Sequence, residues 1–406
     1  MSCLDSFHIM IVSQYFSIID DFISLEFVCK KCQNNMEKFH NNPVQINTKT
    51  IKYFPNIETL NLWTKKDENF GNDIFDINTS KSDKIDFFQI NVWFAVDYTF
   101  MQNNKNTNIL CKNVIYTRED RQKYGDTIPR NIKIIGANCY YGSEFTSFVI
   151  PNSVTLLQEA CFCECRNLKE VHISDFILSL PPKCFFYNES LLEIILPSTM
   201  KSIGDECCCG CTSLSCVDIP SCVSVIGKCA FNRCLNVKSV VVRRGDCIIE
   251  DNCFEMCCSL TSVSLQSSIS CIGKSCFGNC NSLSVITLPK CLKYIPNSCF
   301  FKCGNLIEIE IPNGITKLCK SCFYECEKLV RVVLPQSIKE IDCGAFVFCS
   351  SLKGLEIPHN VTKVGDSCCF NCLSLRILIP STLKSIGVNS FTNCDFVEYE
   401  NKCCIS

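Results

Sequence analysis

The chain has 406 residues and nearly balanced charge, 39 Lys and Arg against 41 Asp and Glu, for a formal net charge of −2. A nucleic-acid-binding surface needs a concentrated basic stripe, and the local basic clusters are only the pairs Lys30-Lys31, Lys65-Lys66 and Arg243-Arg244, so nucleic acid is excluded as a main partner. No stretch is long and apolar enough to span a bilayer, and the compositional anomaly is cysteine, at 38 residues.

The first 28 residues carry Asp5, Asp20 and Asp21 and no Lys or Arg, so they do not read as a secretory signal. In a chain that is not exported, thiols are expected to stay reduced. Apolar residues at helical intervals (Ile9, Val12, Phe16, Ile19, Ile23, Phe27) predict two or three short helices within residues 7 to 39, with a break near Asp20-Asp21. The run from Asp20 through Leu25, Val28, Cys29 and Lys30 to Cys32 resembles the latter half of an F-box, with Cys32 where that family usually has an aromatic. The resemblance implies docking to a ubiquitin-ligase scaffold; the alternative is a helical cap for the repeats that follow.

Residues 51 to 63 look like a degenerate repeat strand, and residues 86 to 100 predict a buried strand or two. The Lys-, Asn- and Asp-rich segments 64 to 84 and 102 to 113 are expected to be surface loops. The expected organisation is therefore an N-terminal region at 1 to 110, a repeat region at 111 to 400 and a short tail at 401 to 406.

From Pro129 a unit of about 23 residues recurs, starting at Pro129, Pro151, Ser174, Pro197, Pro220, Arg243, Gln266, Pro289, Pro312, Pro335, Pro358 and Pro380. Numbering each unit from that residue, slot 12 is aromatic in ten units, from Tyr140 to Phe391, and slot 18 is Leu in nine. Each unit ends in an apolar–polar alternation, such as Leu283 to Leu288, that stops at proline, which suits a short strand and its exit turn. Self-similarity at this period predicts a solenoid of about twelve coils with short parallel strands, preceded by a small mainly helical region. At a strand spacing of roughly 4.8 Å, twelve coils would extend on the order of 60 Å. The glycines of Ile203-Gly204, Ile226-Gly227, Ile272-Gly273 and Ile386-Gly387 are expected to make tight bends with positive φ. Irregularity is expected between residues 174 and 270, where three units lack the proline and Cys208 replaces the aromatic.

The frame I-x-x-I-G-x-x-C/A-F-x-x-C-x-x-L-x-x-I-x-I-P resembles the BspA-like family of leucine-rich repeats, the treponemal type, over about 270 residues. That resemblance implies an interaction role, without catalytic activity and without a cofactor. It names no protein partner.

Half of the cysteines fall in two repeat slots, nine in slot 11 and ten in slot 15, where Ala, Ser or Asn can substitute. A small buried side chain explains this, because free Cys behaves as a small hydrophobe. Cys29-Lys-Lys-Cys32 and Cys207-Cys-Cys-Gly-Cys211 have zinc-like spacings, but a structural site needs four ligands. None of the four histidines, His8, His40, His172 and His359, falls in a ligand-like array, so no metal is expected.

If the strand face binds, its outward positions include Asp218, Glu308, Glu310, Arg331, Glu356 and Arg376. The ending Cys403-Cys404-Ile405-Ser406 fits the C-a-a-X pattern of a farnesylated cysteine, with Cys403 carrying the lipid. Asp395, Glu398 and Glu400 supply no basic assistance, and one lipid gives only marginal attachment. The sequence thus predicts a cytoplasmic interaction protein held peripherally at the inner face of the plasma membrane, or alternatively an F-box-like substrate receptor.

Overall fold

A computed structural model describes residues 5–72, 74 and 84–400. The chain divides into two compact units, Met1–Ile134 and Ile135–Ser406.

The first unit opens with α1 (Ser6–Ser13) and α2 (Ile19–Glu26). The Asp5 carboxylate caps α1 by accepting the Phe7 and His8 amides. The helical break falls at residues 14 to 18 and not at Asp20-Asp21, which occupy the first turn of α2. Acidic side chains there face the positive end of the helix dipole, so they start a helix instead of ending one. Three parallel strands follow: β1 (Thr59–Leu62), β2 (Gln89–Asp97) and β3 (Ile109–Tyr116). Two further helices flank β3, α3 (Tyr98–Asn103) and α4 (Arg118–Tyr124). Residues 109 to 113, expected in a loop, belong to β3 and pair with β2 through Ile90–Ile109 and Val92–Cys111. Their apolar alternation outweighs the polar run just before them.

In the second unit the coils build two ladders of parallel strands, each interrupted in places. The short ladder takes two residues per coil, as in Tyr294–Ile295, Lys317–Leu318, Glu340–Ile341 and Lys363–Val364. The long ladder takes the end of each coil, as in Cys216–Ile219, Ser239–Val242 and Ser262–Leu265, and again in Glu308–Glu310 with Arg331–Val333. Both ladders alternate buried and outward residues.

A third ladder has no strand geometry. Slots 10 and 14 adopt positive φ in every coil, whether the residue is Ser298 and Lys302, Glu206 and Gly210, or Lys183 and Tyr187. For a non-glycine residue this costs about 1 kcal/mol. The conformation turns alternate amides along the solenoid axis. Ser298, Phe300 and Lys302 donate to the carbonyls of Lys320, Cys322 and Tyr324 in the next coil at 2.7–2.9 Å. These bonds offset the backbone cost, and their burial makes leaving them unmade expensive.

The glycines at slot 8 have a different role from the one expected. Gly204, Gly227, Gly273 and Gly387 do not have positive φ. A Cβ at Gly273 would lie 2.3 Å from the Asp251 nitrogen and the Glu250 carbonyl carbon of the preceding coil. The backbones approach too closely for any side chain.

Between 174 and 270 the missing proline leaves the turns at Ser174 and Gln266 intact, and the expected irregularity falls in the aromatic column. Slot 1 closes a turn by accepting the slot 4 amide through its carbonyl, in Pro151–Val154 and equally in Ser174–Ile177 and Gln266–Ile269. Only the carbonyl is needed, so proline fits but is not required. What breaks is the aromatic column: Tyr140, Phe162 and Phe185 stack, the column lapses at Cys208, and Phe231 to Phe346 stack again at 5.4–5.8 Å.

The two cysteine slots are chemically distinct. Slot 11 accepts Ala230, Ala345 and Ser390 and asks only for small volume. Slot 15 is a donor position: the thiols of Cys280, Cys303, Cys326, Cys349 and Cys372 each reach the slot 12 carbonyl of the preceding coil at 3.0–3.3 Å. That carbonyl already accepts an amide from its own coil, as Phe300 does from Cys303, so the thiol satisfies its second lone pair.

Candidate interaction surface

Along the long ladder, buried Val217, Ile309, Val332 and Ile377 anchor the strands, and their neighbours project outward. All six predicted face residues are exposed: Asp218, Glu308, Glu310, Arg331, Glu356 and Arg376. They do not form one site. Glu308, Glu310 and Arg331 line a groove of about 550 Å³ together with Val285, Lys290, Ile309 and Val333. Glu308 stands in direct register with Arg331. A neighbouring groove of about 380 Å³ continues over Arg331, Val330, Lys353 and Glu356.

Asp218 lies four coils away beside a separate groove of about 340 Å³ with Glu193, Ile195 and Arg243. Arg243 grips it with two hydrogen bonds, at 2.8 and 2.6 Å, which hold the Asp218 carboxyl below its ordinary range. Arg376 lies over the Phe396 ring at 5.4 Å and 3.7 Å from Asp395, and it lines neither of the two adjoining grooves.

The two ladders differ electrostatically. On the short ladder Lys317, Glu340 and Lys363 form a charge-alternating column, with contacts of 3.2 and 2.7 Å and a further 3.1 Å link from Lys317 to Asp342. The Lys363 and Lys317 ammonium groups hold the Glu340 carboxyl low, and hydrogen bonding to Asp342 raises Lys317. On the long ladder Glu308, Glu310, Arg331 and Glu356 make no ion pair among the described residues. Beside them Val285 is 56% and Ile307 50% exposed. Sequence reading passed over these apolar residues; the available signal was Val285 and Val333 at outward positions where the alternation calls for polar side chains.

The remaining motifs fall elsewhere. Cys207, Cys208 and Cys211 are buried, the last donating to the Phe185 carbonyl at 3.2 Å. Among the described residues no group of three or more His, Cys, Asp or Glu side chains could hold a metal ion, and no helix is long and apolar enough to cross a membrane. His8 and His40 lie near Asp5 and Glu58, and His359 near Glu400. Cys403 lies outside the described residues.

No curated protein matches this chain. Among solved structures, a leucine-rich repeat protein from Bacteroides ovatus is 27% identical over 65% of this chain and 81% of its own, with a TM-score of 0.47. The T. pallidum leucine rich repeat protein is 29% identical over 40% of this chain and 78% of its own, with a TM-score of 0.38. The pneumococcal vaccine antigen PcpA is 17% identical over 67% and 75%, with a TM-score of 0.39. The BspA type leucine rich repeat region, in six copies, matches residues 126–238 and 272–398. With more than half its length matched, and with the repeat frame visible in every coil, the chain belongs to the BspA type leucine rich repeat family.

Proposed function

We propose that this chain is a non-enzymatic protein-interaction module whose partner lies along the long ladder, centred on the grooves at Glu308, Glu310, Arg331 and Glu356. The observation that carries this reading is the coincidence of unpaired charge and exposed apolar surface there, against the paired charges of the short ladder. Interfaces combine apolar cores with charges that select the partner. Charge reversal tests it: a partner captured from the protein's own cells is expected to bind Arg331→Glu and Glu310→Lys at least about tenfold more weakly, a loss of about 1.4 kcal/mol. Lys384→Glu, on the short-ladder side, should bind as wild type does. Equal loss in all three, or in none, removes the long ladder from the function.

Cys403 is proposed as a farnesylation site that adds a weak tether at the cytoplasmic membrane face. Intact mass and membrane fractionation of wild type against Cys403→Ser decide this, and an unmodified wild type ends it. A second reading, an F-box-like receptor, draws support from Phe7, Val12, Tyr15, Phe27 and Val28, which α1, α2 and the following turn leave exposed. A ligase scaffold that copurifies with the full chain but not after removal of residues 1–45 would favour it; equal recovery would remove it.

A further inference from the structure

The turn after α2 holds a pair of thiols that the interaction role does not use. Cys29 and Cys32 bracket Lys30 and Lys31, and the Cys32 amide donates to the Cys29 carbonyl at 2.9 Å, closing a turn. Such turns keep their end Cα atoms within about 7 Å, which overlaps the Cα separation of a disulfide. The two Sγ atoms lie 3.5 Å apart. The base of the loop is clamped: the Glu26 carboxylate accepts the Met36 amide at 2.9 Å, and the Asn35 side chain donates to Ser13 Oγ at 2.9 Å.

The two thiols are unequal. Cys29 is exposed, whereas Cys32 is 4% exposed. Hydrogen bonding from Cys32, then the amides of Lys31 and Cys32, holds the Cys29 thiol below its ordinary value, with the Lys31 charge helping. Burial, then the bond to Cys29, pushes Cys32 up. An accessible thiol that ionises early beside a shielded one that keeps its proton is the division of labour needed for thiol–disulfide exchange. Phe27 and Val28, 85% and 70% exposed, give the approach to Cys29 an apolar lip.

We propose that Cys29 and Cys32 form a reversible dithiol–disulfide site that exchanges with external disulfides, Cys29 attacking and Cys32 resolving. The Cys29 thiolate attacks one sulfur of a disulfide R–S–S–R′, forming a Cys29–S–S–R bond and releasing R′–S⁻, which takes up a proton. Cys32 then loses its proton to solvent, and its thiolate attacks the Cys29 sulfur. The Cys29–Cys32 disulfide forms and R–S⁻ leaves and is protonated. The protein dithiol is oxidised by two electrons and the external disulfide is reduced to two thiols.

Cleavage after Glu26 and Glu37 isolates these two cysteines from all others on one peptide, residues 27–37. The full chain is equilibrated in reduced and oxidised glutathione, quenched with an alkylating agent, cleaved and weighed. The expected result is interconversion between a doubly alkylated peptide and an unalkylated one two hydrogens lighter than the free dithiol peptide. Under reducing conditions at neutral pH, Cys29 should alkylate roughly tenfold faster than the exposed Cys291. Cys32→Ser should accumulate glutathione on Cys29, and Cys29→Ser, at an exposed position, should leave Cys32 unmodified. A peptide that stays doubly reduced across the glutathione series, or a Cys29 no faster than Cys291, overturns the proposal. So does glutathione on Cys32 in Cys29→Ser.

Discussion

The two units both build their cores on phenylalanines but arrange them in opposite ways. In the first, Phe16, Phe22, Phe39 and Phe54 meet edge to face, with planes 75° to 87° apart and centroids 5.1 to 6.0 Å apart. In the second, Phe231, Phe254, Phe277, Phe300, Phe323 and Phe346 lie nearly parallel, 4° to 8° apart. Edge-to-face contact is a favoured geometry for isolated pairs, and an irregular core is free to find it. A repeat is not: when one coil is a translated copy of the last, each ring sits in the same rotamer as its neighbour. Translation therefore dictates ring orientation, and the same constraint lines up the thiols, the left-handed residues and the amide donors.

Alkali should separate the units most strongly. Burial pushes the thiols of Cys303 and Cys394 up to about 12 and those of Cys163 and Cys247 up to about 11, from an ordinary value of 9.0. A folded-state value raised above the unfolded one leaves stability intact below pH 9 and removes it as pH climbs from 9 towards 12. Each such thiol withdraws up to about 1.4 kcal/mol per pH unit in that window. The first unit has only Cys29, Cys32 and Cys111 among its described thiols. Hydrogen exchange across pH 8 to 11 should therefore show the solenoid opening first; simultaneous opening would contradict the greater load of buried thiols as the difference between the units.

Removing one ring should cost about 3–5 kcal/mol in either unit, but the damage should spread differently. In Phe300→Ala the increased exchange should be confined to coils near residue 300, because repeats couple only to their neighbours. In Phe22→Ala it should reach the whole cluster from Phe22 to Val96. Equal spread in both variants would break the comparison.

The smallest effect is a gain. Asn188 occupies slot 15, fully buried, and neither polar atom of its side chain has a hydrogen-bond partner. Asn188→Cys should restore the consensus donor and raise stability by about 1–2 kcal/mol in urea unfolding. A loss would mean that Asn188 is satisfied in a way the column geometry does not show.

What the sequence disclosed was whatever recurs in side-chain type. Slots 12 and 18 are legible because identical contacts select identical side chains, from Phe162 to Phe346 and from Leu168 to Leu375. Slots 10 and 14 were illegible because their requirement is on the backbone, met by bonds to the next coil, and the side chain is free to be Lys183, Glu206 or Phe348. The slot 8 glycines were noticed for the wrong physics: a local bend was expected where a neighbouring backbone sets the limit. For the candidate surface, alternation correctly turned Glu308, Glu310 and Arg331 outward. It could not show that Arg243 neutralises Asp218, since that contact depends on how the exit turn of one coil meets the strand of the coil before.

The axial bonds also govern how such a chain can change length over generations. Phe300 donates to Cys322, and Phe323 donates to Ala345 through the same slots. Excising residues 312–334 would bring the Ala345 carbonyl to the place left by Cys322, with every other axial partner replaced by its equivalent. Loss or gain of one whole unit in the gene leaves two sound neighbours, whereas a length change between slots 10 and 15 puts the axial donors out of step. The units at Pro129 and Pro358 are one residue shorter after slot 15 and keep their axial bonds, as Cys369 does to Ser390 at 2.7 Å. The fold thus tolerates copy-number change, and the partner-facing surface can lengthen or shorten in whole coils.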